Sequence, residues 1–133
     1  MFELDKITRN NIKQLNAYSS ARDEYKGAGG VMLDANENPY GTLNRYPDPY
    51  QKALKAEVFS AQGIPTKNTF IGNGSDEVID LLFRIFCIPK VDKALTFSPS
   101  YGMYDVSAAI NDIELVKVEL NEEFDIDYQS VSE

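Results

Sequence analysis

The sequence predicts an α/β fold, and three features of residues 48–133 lead to that prediction. The predicted elements alternate there as helix, strand, helix, strand, helix and strand, which is typical of helices packed on a sheet. One of these helices is apolar nearly all round and therefore needs cover on more than one side. A glycine-containing turn leads from a predicted strand directly into that helix, at the position where α/β proteins often bind ligands.

The composition indicates a globular chain with an acidic surface. Of its 133 residues, 43% are hydrophobic and 26% are charged, and the formal net charge is -8. The length suits one ordinary domain, and seven Phe and eight Tyr can supply its core. The negative charge argues against nucleic-acid binding, which needs a basic face. A phosphorylated small molecule is compatible with it, because backbone N–H groups can bind an anion locally.

Residue types that are rare or missing exclude several kinds of site. The chain contains no His and a single Cys, Cys87. These counts exclude a Cys–His nucleophile, a histidine-ligated metal site and an intrachain disulfide, and we predict no metal site. We interpret Cys87 as a small buried side chain. Because the N-terminus lacks a long apolar run and no stretch approaches membrane-spanning length, we expect a cytoplasmic protein without membrane contact.

Residues 1–45 are polar and are predicted to pack poorly on their own chain. A short helix is predicted from Asn10 through Leu15, and residues 27–30 form a glycine-rich connector. The apolar residues 31–33 are predicted as a short strand.

A clearer helix is predicted from Asp48 onward. Asp48 can cap it, and Pro49 suits its first turn, where a missing N–H costs nothing. Apolar residues then recur at helical spacing. Gly63 fits a left-handed C-cap, and Pro65 prevents continuation of the helix.

The remaining elements follow from the period of their apolar residues. They are a strand over residues 69–71, the apolar helix over 76–87, a strand over 94–97, a helix over 101–110, a half-exposed strand over 115–120 and the opening of a further helix from 127.

The turn Gly72-Asn73-Gly74-Ser75 has the composition of a phosphate site. Glycines allow the backbone to approach an anion, and the unpaired N–H groups of a first helical turn favour a phosphate. An ordinary glycine turn capped by Ser75 and Asp76 has the same composition. A P-loop requires Lys where Ser75 stands, and a dinucleotide fingerprint requires Gly or Ala where Glu77 stands. The pattern therefore favours a small phosphorylated cofactor over a nucleotide.

A second candidate feature is the tyrosine pair that follows the strand 94–97. Tyr101 stands where an aromatic ring can stack on a flat ligand at the carboxyl end of a strand. Spacing alone favours the other interpretation, in which Tyr101 and Tyr104 both pack in the core.

Four motifs occur in the order and spacing of the histidinol-phosphate aminotransferases, and the chain resembles that family over almost its whole length. Residues 15–22 also resemble the family's N-terminal segment. Each motif is modest alone, but the ordered set is specific. The motifs are Leu33-Asp34-Ala35-Asn36-Glu37-Asn38-Pro39-Tyr40-Gly41, Arg45-Tyr46-Pro47-Asp48, Gly72-Asn73-Gly74-Ser75-Asp76-Glu77 and Pro99-Ser100-Tyr101-Gly102-Met103-Tyr104.

The resemblance implies the first part of the large domain of a fold-type I transferase that depends on pyridoxal 5'-phosphate (PLP), with helices on a mainly parallel sheet. It divides the chain into an N-terminal arm over residues 1–45 and a truncated PLP-binding domain over 46–133. It also implies a homodimer that transfers an amino group between L-histidinol phosphate and 2-oxoglutarate in histidine biosynthesis.

The resemblance assigns five residues to the cofactor. The backbone at Gly74, Ser75 and Asp76 would hold the PLP phosphate. Tyr101 would stack on the pyridine ring. Tyr46 would reach the cofactor phosphate in the site of the neighbouring subunit.

Two further residues, Tyr18 and Asn36, would lie near the substrate. The family's Schiff-base lysine, its pyridine-facing Asp and its substrate-binding Arg have no counterparts in this chain, so we predict no catalytic residue here and no transamination by these 133 residues alone. Two alternatives stay open within the fold: another fold-type I aminotransferase, and a PLP decarboxylase acting on a phosphorylated amino acid. A third, of a different class, is a non-catalytic domain that binds a phosphorylated ligand.

Overall fold

A computed structural model of the protein describes residues 3–27, 29–42 and 46–132. These residues form seven α-helices, one 3-10 helix and two β-strands. No helix among them is long and apolar enough to span a bilayer. In chain order the elements are α1 (Leu4–Ile7), α2 (Asn10–Lys13), α3 (Ala21–Glu24), α4 (Lys52–Gln62), the 3-10 helix (Thr66–Asn68), α5 (Ser75–Phe86), β1 (Lys93–Ser98), α6 (Met103–Ile110), β2 (Glu114–Glu119) and α7 (Tyr128–Ser132).

Contacts within the chain divide it into two compact units. The first unit combines the segment up to Leu15 with the segment from Gly72 onward, and it contains both strands. The second unit runs from Asn16 to Ile71 and contains α3, α4 and the 3-10 helix. The domain boundary expected at residue 45 stays a prediction.

The sheet of the first unit consists of two parallel strands. Lys93 of β1 lies opposite Glu114 of β2, and the register continues to Ser98 opposite Glu119. Parallel strands need a crossover connection, which α6 supplies here. The predicted α/β class is therefore confirmed, although two strands rather than three pair among the described residues.

The core of this unit lies where α5 packs against α6. Phe83, Ala108 and Ile113 are buried there and contact one another. Cys87 packs against this cluster, as expected of a small apolar side chain, but it is half-buried rather than buried. Its partial burial, and next the charge of Asp92, raise the pKa of the Cys87 thiol.

Two hydrogen bonds to the Asp80 carboxylate also connect the same two helices. The Asp80 carboxylate accepts a hydrogen bond of 2.7 Å from Nε of Arg84, one turn later in α5. It accepts another of 2.7 Å from Nδ2 of Asn111, just after α6. The bond from Arg84, and next that from Asn111, lower the pKa of Asp80. Asp80 thus connects α5 to the end of α6.

The bounds of the predicted helices and strands after residue 75 are confirmed to within two residues. The strand predicted over residues 69–71 is wrong, because the described residues contain no strand there. Thr69 has extended backbone angles, φ -112° and ψ 121°, so the extended backbone predicted for this residue is confirmed. A strand also needs a hydrogen-bonded neighbour, and no described residue provides one. The same correction applies to the strand predicted over residues 31–33.

The helix predicted from Asp48 begins later, at Lys52. Gln51 has a left-handed backbone, φ 48°, which interrupts any helix starting at Pro49. The Asp48 carboxylate still accepts hydrogen bonds from the amides of Lys52 and Tyr50, at 2.8 and 2.9 Å, and these bonds lower its pKa. At the other end the predicted left-handed C-cap is confirmed by Gly63, with φ 70°.

Candidate functional site

The turn before α5 requires a glycine at one position. Gly74 stands at the N-cap of α5 with φ 85° and ψ 174°, a backbone conformation that is essentially restricted to glycine. A Cβ atom built on Gly74 would meet no atom within 4 Å. The backbone angles, rather than a lack of space, therefore explain the glycine.

The first turn of α5 presents free hydrogen-bond donors. Among the described residues, the amides of Gly74, Ser75 and Asp76 and the hydroxyl of Ser75 find no protein acceptor. All three residues are exposed. Unpaired amides at a helix N-terminus, together with the helix dipole, favour an anion such as a phosphate group. The turn lies open at the surface.

Both carboxylates of this turn bond to protein donors. The phenol of Tyr101 donates a hydrogen bond of 3.0 Å to Asp76. Glu77 accepts one from the backbone amide of Asn73. The hydrogen bond to Asp76, and next the charge of Asp76, raise the pKa of the Tyr101 phenol. The structure thus brings together four of the predicted cofactor residues, Gly74 to Asp76 and Tyr101.

The Tyr101 ring is accessible to a ligand. Tyr101 is 53% exposed, so the interpretation that places it in the core is wrong. Tyr104 is half-buried and packs edge-on against Tyr101, with ring centroids 6.2 Å apart and planes at 86°. This contact steadies one edge of the Tyr101 ring while more than half of the residue remains open to a flat ligand.

These groups fit a phosphorylated aromatic molecule. Free amides and a hydroxyl suit its phosphate, and an exposed aromatic ring tied to the same helix turn suits its flat part. Sequence reasoning missed the bond from Asn73 to Glu77. The signal was present, since an acidic residue in the third helical position commonly accepts from an amide just before the helix.

The second unit contains the other predicted cofactor residue, Tyr46. Its phenol donates a hydrogen bond of 2.7 Å to the carbonyl of Met32. Its backbone has φ 48°, in the left-handed region that bulky residues rarely adopt. Arg45 of the same motif lies outside the described residues.

Sequence reasoning assigned no role to Arg22, which contacts the Tyr46 segment. Its guanidinium carbon lies 5.0 Å from the centroid of the Tyr46 ring. Nη1 donates a hydrogen bond of 3.0 Å to the carbonyl of Pro47, and Nη2 lies 3.6 Å from Oδ2 of Asp34. Arg22 also lines a cavity of about 500 Å³ with residues 27, 29 and 30–34. The available signal was its place in the segment 15–22 that resembles the family.

The two predicted substrate residues lie in this second unit. Tyr18 is 89% exposed, and Asn36 is exposed as well. Within the part of the chain that the structure describes, neither hydrogen-bonds to Tyr46 or to the other. Their roles toward a substrate stay predictions.

Comparison with known proteins adds to this geometry. The sequence model of a family described as aminotransferase class I and II matches residues 18–133. The chain is 50% identical to a histidinol-phosphate aminotransferase of Cytophaga hutchinsonii, covering 98% of this chain and 39% of that protein. It is 50% identical to one of Parabacteroides distasonis, covering 100% of this chain and 39% of that protein. It is 52% identical to one of Bacteroides fragilis, covering 93% of this chain and 36% of that protein. The chain thus spans under two fifths of the length of these relatives.

Proposed function

The chain belongs to the class I and II aminotransferase family, and from this premise we propose that it forms the amino-terminal part of a PLP-dependent histidinol-phosphate aminotransferase. The reaction would move an amino group between L-histidinol phosphate and 2-oxoglutarate. The relatives that carry this name match nearly the whole chain, which supports this choice of substrate over other members of the family.

One observation supports the cofactor in particular. The amides of Gly74, Ser75 and Asp76 have no protein acceptor among the described residues, and the exposed ring of Tyr101 is tied to the same turn through Asp76. A phosphate and a flat ring carried by one molecule need both features close together. PLP carries both a phosphate and a flat ring, and it therefore suits the turn and the neighbouring Tyr101.

In this proposal the chain's residues bind and orient the cofactor. The three amides hold the phosphate without placing a full positive charge beside it, and Ser75 adds its hydroxyl. Tyr101 packs against the pyridine ring, and its bond to Asp76 limits rotation of the phenol. When bound, PLP supplies the electron sink that amino transfer requires.

The proposal extends to the assembly and the substrate. Tyr46 would reach the cofactor phosphate in the neighbouring subunit's site, which requires a homodimer. Tyr18 and Asn36 would contact the substrate. We further propose that the enzyme works in the cytoplasm. A polypeptide of only these 133 residues is expected not to transaminate, because it contains no lysine in the family's cofactor-binding setting.

The test is a transamination assay on the complete gene product. The protein is supplied with PLP, 2-oxoglutarate and L-histidinol phosphate, and release of glutamate is followed. Matched reactions replace the donor with unphosphorylated L-histidinol or with L-aspartate. We expect turnover with L-histidinol phosphate and much less with the other two. Preference for another donor would assign another substrate, and loss of the donor's carboxyl group as CO₂ from a phosphorylated amino acid would indicate a decarboxylase. PLP binding without turnover of any donor would leave the non-catalytic alternative.

A further inference from the structure

We propose that Arg22 is a positioning residue that holds Tyr46 in the conformation in which it serves the cofactor site. This inference rests on the proposed function, because it concerns the site that Tyr46 would serve. Arg22 itself would touch neither cofactor nor substrate. It would act by fixing the ring and the backbone of Tyr46.

The backbone of Tyr46 shows that something must hold it. With φ 48°, this bulky residue occupies a left-handed region that is unfavourable for residues other than glycine. Such a conformation persists only where surrounding contacts favour it over the alternatives. The bond from its phenol to the Met32 carbonyl is one such contact, at 2.7 Å.

Arg22 provides the others. Its guanidinium lies over the face of the Tyr46 ring, 5.0 Å from the centroid, in a cation–π contact. The same group donates to the carbonyl of Pro47, the next residue along the chain, at 3.0 Å. One side chain therefore contacts the ring of Tyr46 and the backbone directly after it.

Arg22 is itself held in place. Nη2 pairs with Asp34 at 3.6 Å, and the two side chains are only 26% and 22% exposed. Partial removal from water makes such a pair stronger than one on an open surface. Nε of Arg22 is buried and has no hydrogen-bond partner among the described residues, so the polar contacts of Arg22 are made by its two terminal nitrogens. Lysine offers a single point charge in place of this planar fork and could not keep all three contacts.

The test is a double-mutant cycle on the cofactor-free complete gene product. PLP affinity is measured by equilibrium titration for the unaltered protein, Arg22→Ala, Tyr46→Ala and the double variant. We expect Arg22→Ala to weaken PLP binding about tenfold when Tyr46 is present, as loss of a desolvated cation–π contact and its accompanying hydrogen bond would. We expect it to change PLP binding by less than about twofold when Tyr46 is already Ala.

Lys52 supplies a matched control. Its ammonium lies 5.4 Å from the ring centroid of Tyr50, a contact of the same kind at a tyrosine outside the proposed site. Lys52→Ala should leave PLP affinity unchanged. If Arg22→Ala does not fold, Arg22→Lys replaces it in the same cycle. A smaller loss of PLP affinity in Arg22→Lys, which again disappears when Tyr46 is Ala, supports the inference.

The outcomes separate this inference from the proposed function. If the unaltered protein binds no PLP, the proposed function fails and the inference fails with it. Suppose instead that the unaltered protein binds PLP. If Arg22→Ala then weakens PLP binding equally with Tyr46 present and with Tyr46 replaced by Ala, or weakens it in neither case, Arg22 does not act through Tyr46. That result would overturn the inference alone, even if the variant unfolds at a lower temperature.

Discussion

The phenol of Tyr101 and the carboxylate of Asp76 are joined by a hydrogen bond of 3.0 Å. Asp76 lies in the first turn of α5, and Tyr101 lies between β1 and α6. Residues 25 positions apart thereby combine free backbone donors and an exposed aromatic ring in one place. The phenol, the ring and the turn can each be altered by a separate substitution.

The first prediction concerns the titration of Tyr101. Because the Asp76 carboxylate raises the pKa of the phenol, this hydrogen bond stabilises the fold below about pH 10 and is lost as the pH rises through the folded-state pKa. In Asp76→Asn the phenol should titrate at lower pH. The pH at which the phenol ionises is measured by the difference absorbance of the phenolate. Tyr101→Phe identifies which part of the absorbance change belongs to Tyr101.

Asp105→Asn is the control for that titration, since Asp105 pairs with Lys117 rather than with a tyrosine. It should leave the Tyr101 signal in place. An unchanged titration in Asp76→Asn would mean that the hydrogen bond does not form in solution.

The second prediction separates ring from hydroxyl. Tyr101→Phe keeps the ring and should retain most of the PLP affinity of the complete gene product. Tyr101→Ala removes the ring and should weaken PLP binding by a further three- to tenfold, about the worth of one aromatic stack. Equilibrium titration with PLP decides between them. Equal losses in the two variants would show that the ring does not contact the cofactor.

The third prediction uses two glycines with equal space and different backbones. A Cβ atom would meet nothing within 4 Å at either Gly74 or Gly102. Gly74 has φ 85°, whereas Gly102 has φ -63° and ψ -18°, which any residue adopts. Gly74→Ala should lower the free energy of unfolding by about 1–3 kcal/mol. Gly102→Ala should leave it unchanged or raise it by up to about 1 kcal/mol. Urea denaturation measures both.

The glycine pair also tests phosphate binding. Gly74→Ala should weaken binding of PLP more than that of pyridoxal, which lacks the phosphate, because the substitution moves the amides of the turn. Gly102→Ala should affect neither ligand. Similar losses for PLP and pyridoxal in Gly74→Ala would contradict a phosphate role for the turn.

The fourth prediction concerns the contact between α5 and α6. Asp80→Ala removes an acceptor from Arg84 and Asn111 and should lower the free energy of unfolding by about 1–2 kcal/mol at neutral pH. Since the folded-state pKa of Asp80 is lowered, its contribution is present above the unfolded-state pKa and is lost as the pH falls through the folded-state value. The difference between Asp80→Ala and the unaltered protein should therefore shrink in acid.

Asp105→Ala is the comparison for that experiment. Its pair with Lys117 is about half exposed on both sides, so removal should change stability little at any pH. Urea denaturation at neutral pH and near pH 3 tests both variants. A loss for Asp80→Ala that stays constant into acid would mean that the charge of Asp80 is not what fastens the helices.

Sequence reasoning succeeded where local patterns decide the structure. The apolar period of residues 78–86 predicts α5, and Gly63 predicts the end of α4, because spacing and backbone angles are properties of short segments. The strand over 69–71 was wrong since pairing depends on a neighbour that the segment does not contain. Gln51 was missed because no sequence pattern marks its left-handed backbone.

For the candidate site, residue types were predictable and their contacts were not. The turn at Gly74 carries a recognisable glycine signal. The bond between Tyr101 and Asp76 joins two elements through the fold, and nothing in either motif specifies it. The contacts of Arg22 with Tyr46, Pro47 and Asp34 arise in the same way, from the packing of separated segments.

A crystal structure of the complete gene product with PLP bound would show directly whether the turn before α5 holds the cofactor phosphate. We predict phosphate oxygens within about 2.7–3.2 Å of the backbone nitrogens of two or more of Gly74, Ser75 and Asp76, with the pyridine ring stacked on Tyr101. A phosphate held elsewhere, with these amides still open to water, would show that the turn is not the phosphate site.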